Sequence, residues 1–157
     1  MKNHFLVLPL LFLIFSCSES VDSKNPLVDF NSSPNEWLLH GRTYAEERHS
    51  PLDQINTSNV DQIGLSWSFE TGTNRGHETT PIVKDGVMFI TAPWSVVHAL
   101  DAKTGDLLWT HDPQVERAWA NNACCDVVNR GVALYENSIF FGTLDGRLIS
   151  LDKDTGN

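Results

Sequence analysis

The sequence predicts an all-β fold built from repeated four-stranded antiparallel sheets, and three observations carry that prediction. From Leu65 onward the hydrophobic period is two: Leu65, Trp67 and Phe69 alternate with Ser66 and Ser68, and short apolar runs follow at residues 81–83, 87–92, 96–100 and 107–109. Such alternation is what a strand with one buried face requires. Residues 87–106 also lie over residues 138–157 without a gap, at an offset of 51 that sets Phe89 on Phe140, Leu100 on Leu151 and Asp101 on Asp152. The third observation is a corner of the form Asp-x-x-Thr-Gly, present in both copies as Asp101-Thr104-Gly105 and Asp152-Thr155-Gly156. One meander cannot bury both faces of its sheet, so copies must stack, and four-stranded units repeating at this period point to a β-propeller. Two similar hairpins in a β-sandwich are the alternative architecture.

Taken in order, residues 1–16 read as an export signal. Lys2 supplies positive charge, and residues 5–15 form an uncharged apolar run, too short for a bilayer span of about 20 residues. Ser16-Cys17 then resembles the bacterial lipoprotein signal, in which Cys17 would be lipidated and become the mature N-terminus; an ordinary cleaved signal with an incidental Cys is the alternative. Residues 18–34, rich in Ser, Asn, Asp and Pro, read as a flexible tether, and the folded portion is placed at residues 35–157. A short helix is predicted over residues 57–64, from the Ser58 or Thr57 cap, the acidic Asp61 and the closing Gly64. Asp85-Gly86 signals a hairpin, and residues 103–106 a further turn. At the corner, Asp and Thr side chains can bond the turn backbone, Gly accepts positive φ, and Trp109, in Ala99-x-Asp101-x-x-Thr104-Gly105-x-x-x-Trp109, can pack on the neighbouring unit. In the second copy Ser150 replaces the Ala, and residues 151–157 close on a turn, so the chain is expected to be the front part of a longer one, holding about two units.

The formal charge of −9 over 157 residues excludes a basic stripe for nucleic acid. It suits a basic protein partner, although such a charge is also common on plain soluble proteins. If Cys17 carries lipid, Cys124 and Cys125 remain in an oxidising compartment. Bridging adjacent residues takes a distorted turn, and two free thiols are the alternative. Glu78 and Arg130 each stand just before the first strand of their unit, 52 residues apart, so in a radial fold they converge near the axis. His77 has no second ligand at suitable spacing, and a metal role is not assigned to it.

The run Cys124-Cys125-Asp126-Val127-Val128-Asn129-Arg130-Gly131 resembles the vicinal-cysteine segment of pyrroloquinoline quinone (PQQ) dependent alcohol dehydrogenases of the methanol and ethanol dehydrogenase branch. The Ala-x-Asp-x-x-x-Gly-x-x-x-Trp pattern is similar to the docking motif that ties together the eight blades of that family, and residues 75–78 resemble the stretch before its first quinone contact. The resemblance implies a Cys124–Cys125 disulfide lying against the quinone, Arg130 and Glu78 hydrogen-bonded to it, and Val128 in apolar contact. It implies blade docking through Ala99, Asp101, Gly105, Trp109, Asp152 and Gly156. It further implies an exported, periplasmic enzyme that oxidises primary alcohols with PQQ and a calcium or lanthanide ion and passes electrons to cytochrome c. Its membrane contact would be only through an N-terminal lipid. The catalytic Asp and the metal ligands are expected beyond residue 157. A non-catalytic propeller lipoprotein that serves as an outer-membrane assembly scaffold is the competing reading, and the Cys124 to Arg130 run is what separates the two. The 157 residues by themselves are expected to be inactive: an assay of alcohol-dependent dye reduction on the isolated polypeptide should give no rate above the dye blank.

Overall fold

The computed structural model describes residues 33–157; the export signal, Cys17 and all but the end of the tether lie outside the described residues. Seven strands form two sheets. The first holds β1 (Ile82–Lys84), β2 (Val87–Thr91), β3 (Val97–Asp101) and β4 (Leu107–His111), and the second β5 (Ala133–Tyr135), β6 (Ser138–Gly142) and β7 (Leu148–Asp152). Neighbours in sequence are neighbours in each sheet, and every pairing is antiparallel. This is the meander that short connections impose. Asp85 and Gly86 both take positive φ, 52° and 79°, and turn β1 into β2 with Lys84 opposite Val87, as a two-residue hairpin demands.

The two sheets share one core. Ile82, Phe89, Val97 and Ala99 of the first meet Ile139, Phe141 and Leu151 of the second, with Val132 completing the cluster. Burial of large side chains such as Phe89 and Ile139 contributes about 1.5–3 kcal/mol each and is available only because the sheets stack.

The repeated corner closes the same way twice. Asp101 Oδ1 accepts the N–H groups of Lys103 and Thr104 at 2.8 and 2.9 Å, and Gly105 N–H donates to the Asp101 carbonyl at 2.8 Å. Asp152 Oδ1 accepts from Asp154 and Thr155 at 3.0 and 2.9 Å, and Gly156 N–H donates to the Asp152 carbonyl at 2.9 Å. These bonds favour the ionised carboxylate and hold both aspartates below the usual carboxylate range, the Thr104 amide acting most strongly on Asp101 and the Thr155 hydroxyl on Asp152.

Trp109, paired across the strands with the small, fully buried Ala99, reaches from the first unit to the second. Its Nε1 donates to the Lys153 carbonyl at 3.1 Å, and its ring covers Gly156 so closely that a Cβ there would lie 2.6 Å from it. Trp67 covers Gly105 likewise, at 2.5 Å from such a Cβ.

Two expectations are corrected. Residues 65–69, whose alternation predicts a strand, join no sheet among the described residues, and Leu65 is 87% exposed. Alternation reports a face that is to be buried, whereas pairing needs a neighbour. Trp67 stands over Gly105 as Trp109 stands over Gly156. The predicted helix over 57–64 is a single 3-10 turn, Val60–Gln62, with Asn59 at its start and no side-chain cap. Ser58 is diverted, its N–H and hydroxyl both donating to Asn56 Oδ1 at 3.0 and 2.5 Å.

Gly86 and Gly105 have the same φ, 79°, but a Cβ at Gly86 meets nothing within 4 Å. Gly86→Ala should therefore cost only the backbone term, about 1 kcal/mol, and Gly105→Ala about 1–3 kcal/mol more from the clash with Trp67. Denaturant unfolding of the two variants side by side measures the difference.

Candidate functional site

The site is assembled from the segments that enter the innermost strand of each unit. Residues 75–80 lead into β1, and residues 112–132 connect β4 to β5. The second of these is stitched onto the first unit. Thr80 N–H donates to the Arg130 carbonyl at 3.1 Å, and Trp94 N–H, on the β2–β3 turn, donates to the Val127 carbonyl at 2.9 Å. The Thr91 hydroxyl donates to the Asn129 carbonyl at 3.2 Å. Asn129 Nδ2 donates both to Ser95 Oγ at 3.1 Å and to the Gly142 carbonyl at 2.8 Å, so one amide ties the first unit, the connection and β6. Gly131, at φ 120°, lets the chain pass within reach of Thr80: a Cβ there would lie 2.9 Å from the Thr80 carbonyl oxygen. The start of the connection is held by Arg147, whose Nη2 donates to the Pro113 carbonyl at 2.8 Å while Asp145 grips the same guanidinium at 2.7 Å. The Arg147 guanidinium and the Thr143 hydroxyl hold the Asp145 carboxyl down at about 2.

On this scaffold the candidate residues converge. Arg130 Nη2 and Glu78 Oε2 are 3.1 Å apart, an ion pair between successive units. Cys124 and Cys125 are exposed thiols with their sulfurs 2.7 Å apart, and the structure does not join them in a disulfide. The Cys125 thiol is pushed up, first by its hydrogen bond with Cys124 and then by the charge of Cys124, by desolvation and by Glu78, with Arg130 opposing. Val127 is buried, and Val128 is half-buried beside Gly76. Glu78, Cys124, Cys125 and Arg130 thus share one exposed patch. The docking residues Ala99, Asp101, Gly105, Trp109, Asp152 and Gly156 belong to the sheets and their corners and take no part in it.

Several residues of this region were not singled out from sequence. Arg75 Nη1 donates to Asp126 Oδ1 at 2.7 Å, and the Arg75 and Arg117 guanidiniums both lie by the Trp94 ring, at 5.6 and 4.2 Å from its centroid. Arg75 and Asp126 stand 51 residues apart, the same offset as the repeat, and that spacing could have flagged them. His98 is buried on β3 with Nδ1 2.9 Å from Thr110 Oγ1, and burial, with the nearby His77, lowers its pKa. His77 Nε2 lies 2.8 Å from Thr71 Oγ1. Among the described residues no group of three or more His, Cys, Asp or Glu side chains could hold a metal ion.

The arrangement offers a guanidinium with free donors, a carboxylate and a polarisable pair of sulfurs on one exposed surface, a combination suited to a flat, anionic, redox-active ligand. Comparison with known proteins shows the family of the chain. Residues 37–157 match the PQQ family model, described as the glucose/ethanol/alcohol dehydrogenase β-propeller domain. The chain is 57% identical over 121 residues to 1-butanol dehydrogenase (cytochrome c) of Thauera butanivorans, a match covering 77% of this chain and 18% of that protein. It is 53% identical to the quinohemoprotein alcohol dehydrogenase of Comamonas testosteroni, covering 77% and 17%. Among solved structures, quinohemoprotein alcohol dehydrogenase ADHIIG of Pseudomonas putida superposes with a TM-score of 0.80 at 51% identity, covering 83% of this chain and 19% of that one. A europium-containing methanol dehydrogenase gives 0.77 at 41%, covering 84% and 23%. The chain thus spans less than a fifth of the length of the curated relatives named here.

The causes acting on Cys125 fix a set of signs. In the reduced protein, alkylation of Cys125 followed against pH should reach half-maximal rate above the pH typical of a free thiol. Glu78→Gln should move that midpoint down and Arg130→Gln should move it up, with peptide mass mapping assigning the modified cysteine.

Proposed function

Because the chain belongs to the PQQ family of glucose, ethanol and alcohol dehydrogenase β-propeller domains, we propose that it supplies the opening units of an exported enzyme that oxidises primary alcohols with PQQ and delivers the electrons to a cytochrome c. The observation that carries this reading is the Glu78–Arg130 pair at 3.1 Å beside the adjacent thiols of Cys124 and Cys125, in a chain whose relatives include quinone and quinohemoprotein alcohol dehydrogenases.

The residues present fit the group. The Arg130 side chain is 79% exposed, and with one nitrogen on Glu78 it keeps donors for a quinone oxygen or carboxylate. Glu78 is the matching acceptor for a ring N–H or hydroxyl. The sulfurs offer a polarisable, weakly hydrated surface on which a flat ring can rest, and Val128 backs it with apolar contact. The chemistry that bound PQQ would supply is that of an acceptor for the hydride, two electrons and one proton, of the alcohol's carbinol carbon. Arg130 favours the more anionic, reduced form through charge-assisted hydrogen bonds. Glu78 orients Arg130 and sets the local charge close to neutral, so that the cofactor's own charge is not repelled.

In an oxidising compartment Cys124 and Cys125 would close to the vicinal disulfide, each being the other's immediate neighbour. A calcium or lanthanide ion, held by residues past 157, would act as Lewis acid on the cofactor; the europium in the methanol dehydrogenase named above supports the second choice of metal. Residues 1–16 would direct export and Cys17 would carry the lipid, leaving the enzyme periplasmic and tethered through residues 18–34.

Fluorescence titration of the full-length protein with PQQ tests the site. Removing one charged hydrogen-bonding partner costs about 1.5–3 kcal/mol, so Arg130→Gln should weaken PQQ binding by about tenfold to a hundredfold. Unchanged affinity in that variant would remove Arg130 from the site, and absence of PQQ binding by the parent protein would favour a non-catalytic propeller.

A further inference from the structure

Asp126 follows the thiol pair directly and has φ 69°, a left-handed conformation that residues with a Cβ adopt reluctantly and keep only when their surroundings impose it. The chain on its far side is fixed, since Val127 is buried and its carbonyl accepts the Trp94 N–H. On its side-chain face the constraint is Arg75, at 2.7 Å. Arg75 is in turn seated by Trp94, which Arg117 also approaches. Two guanidiniums against one indole would repel, and Asp126 relieves that by neutralising Arg75. The thiol-bearing turn is therefore gripped by two ion pairs of opposite polarity, Arg75 to Asp126 and Glu78 to Arg130.

We propose that Arg75 and Asp126 are positioning residues: their ion pair sets the turn that holds the Cys124 and Cys125 thiols facing one another, with Trp94 as the surface on which Arg75 is seated. The role bears on quinone chemistry only through the cofactor reading above, but the positioning itself is read without cofactor.

The test is the rate at which the reduced full-length protein closes the bridge in oxidised glutathione. One cysteine thiolate attacks the glutathione disulfide and releases one glutathione thiol. The neighbouring cysteine, as thiolate, then displaces the second, so that the protein loses two electrons and two protons and two glutathione thiols form. Acid quenching and mass spectrometry count bridged, mixed and free forms. A partly exposed pair of this kind makes a modest contribution, so the second, intramolecular step should slow by about fivefold in Arg75→Gln and in Asp126→Asn. Arg75→Lys, which keeps the charge, should recover most of the rate. Asp126→Gly should be as slow as Asp126→Asn, because glycine relieves the backbone without restoring the ion pair.

Closure at the parent rate in Arg75→Gln and Asp126→Asn overturns the proposal, as does a parent rate in Asp126→Gly, which would leave backbone conformation as the whole cause. Should the substitutions unfold the protein, by circular dichroism, salt takes their place: 1 M chloride should slow closure in the parent, and a salt-independent parent rate overturns the proposal equally. A parent protein that takes up no PQQ sinks the cofactor reading and leaves these rates interpretable.

Discussion

The contact on which the rest of this structure depends is an indole lying flat over a glycine of the next unit. Trp109 over Gly156, and Trp67 over Gly105, work only because several requirements meet at one corner. The aspartate must bond the turn amides, the glycine must hold positive φ with no side chain, and the strand opposite the Trp must be small enough to let the ring lie down, which Ala99 is. Neither sheet could stand alone, since a single meander leaves a face of Phe and Ile in water. The corner sets the distance at which Phe89 and Ile139 meet in one core, and so makes the sheets a stack.

Once that spacing is set, the connection between the units has little freedom. It leaves β4 under the hold of Arg147 on Pro113, returns along Thr80, Thr91 and Trp94, and enters β5 through Gly131. Its ends are fixed by hydrogen bonds to two different sheets, with Asn129 bonded to both. Cys124, Cys125 and Arg130, among the residues that touch solvent between those ends, owe their arrangement to this hydrogen-bonded frame. Functional side chains commonly sit this way, on a loop whose scaffold does not move.

Much of this was legible in the sequence because repetition is a strong signal. The offset of 51 located the corners, the strands and the place where a Trp had to dock, and the Cys124 to Arg130 run pointed to the family that residues 37–157 match. The failures have local causes. The segment 65–69 alternates like a strand, yet it pairs with no strand among the described residues, and alternation says nothing about partners. Ser58 looked like a helix cap, but Asn56 captured its hydroxyl and amide two residues away, a competition that composition does not reveal. Arg75 and Asp126 were not singled out as a pair because each alone is an ordinary surface charge, and only their 51-residue spacing hinted at the contact. His98 was missed for the opposite reason, lying within an apolar strand where a polar atom satisfied by Thr110 leaves no pattern.

The reversed polarity of the two ion pairs has a consequence for how similar modules find the right neighbour. Modules this alike could pair with their own kind instead of with each other, a misassembly characteristic of repetitive architectures. Here the lead-in of the first module carries Arg75 and Glu78, while the matching stretch of the second carries Asp126 and Arg130. First against second is attractive at both positions. First against first, or second against second, would set guanidinium on guanidinium and carboxylate on carboxylate. The charges that frame the thiols thus also disfavour like-with-like pairing of modules.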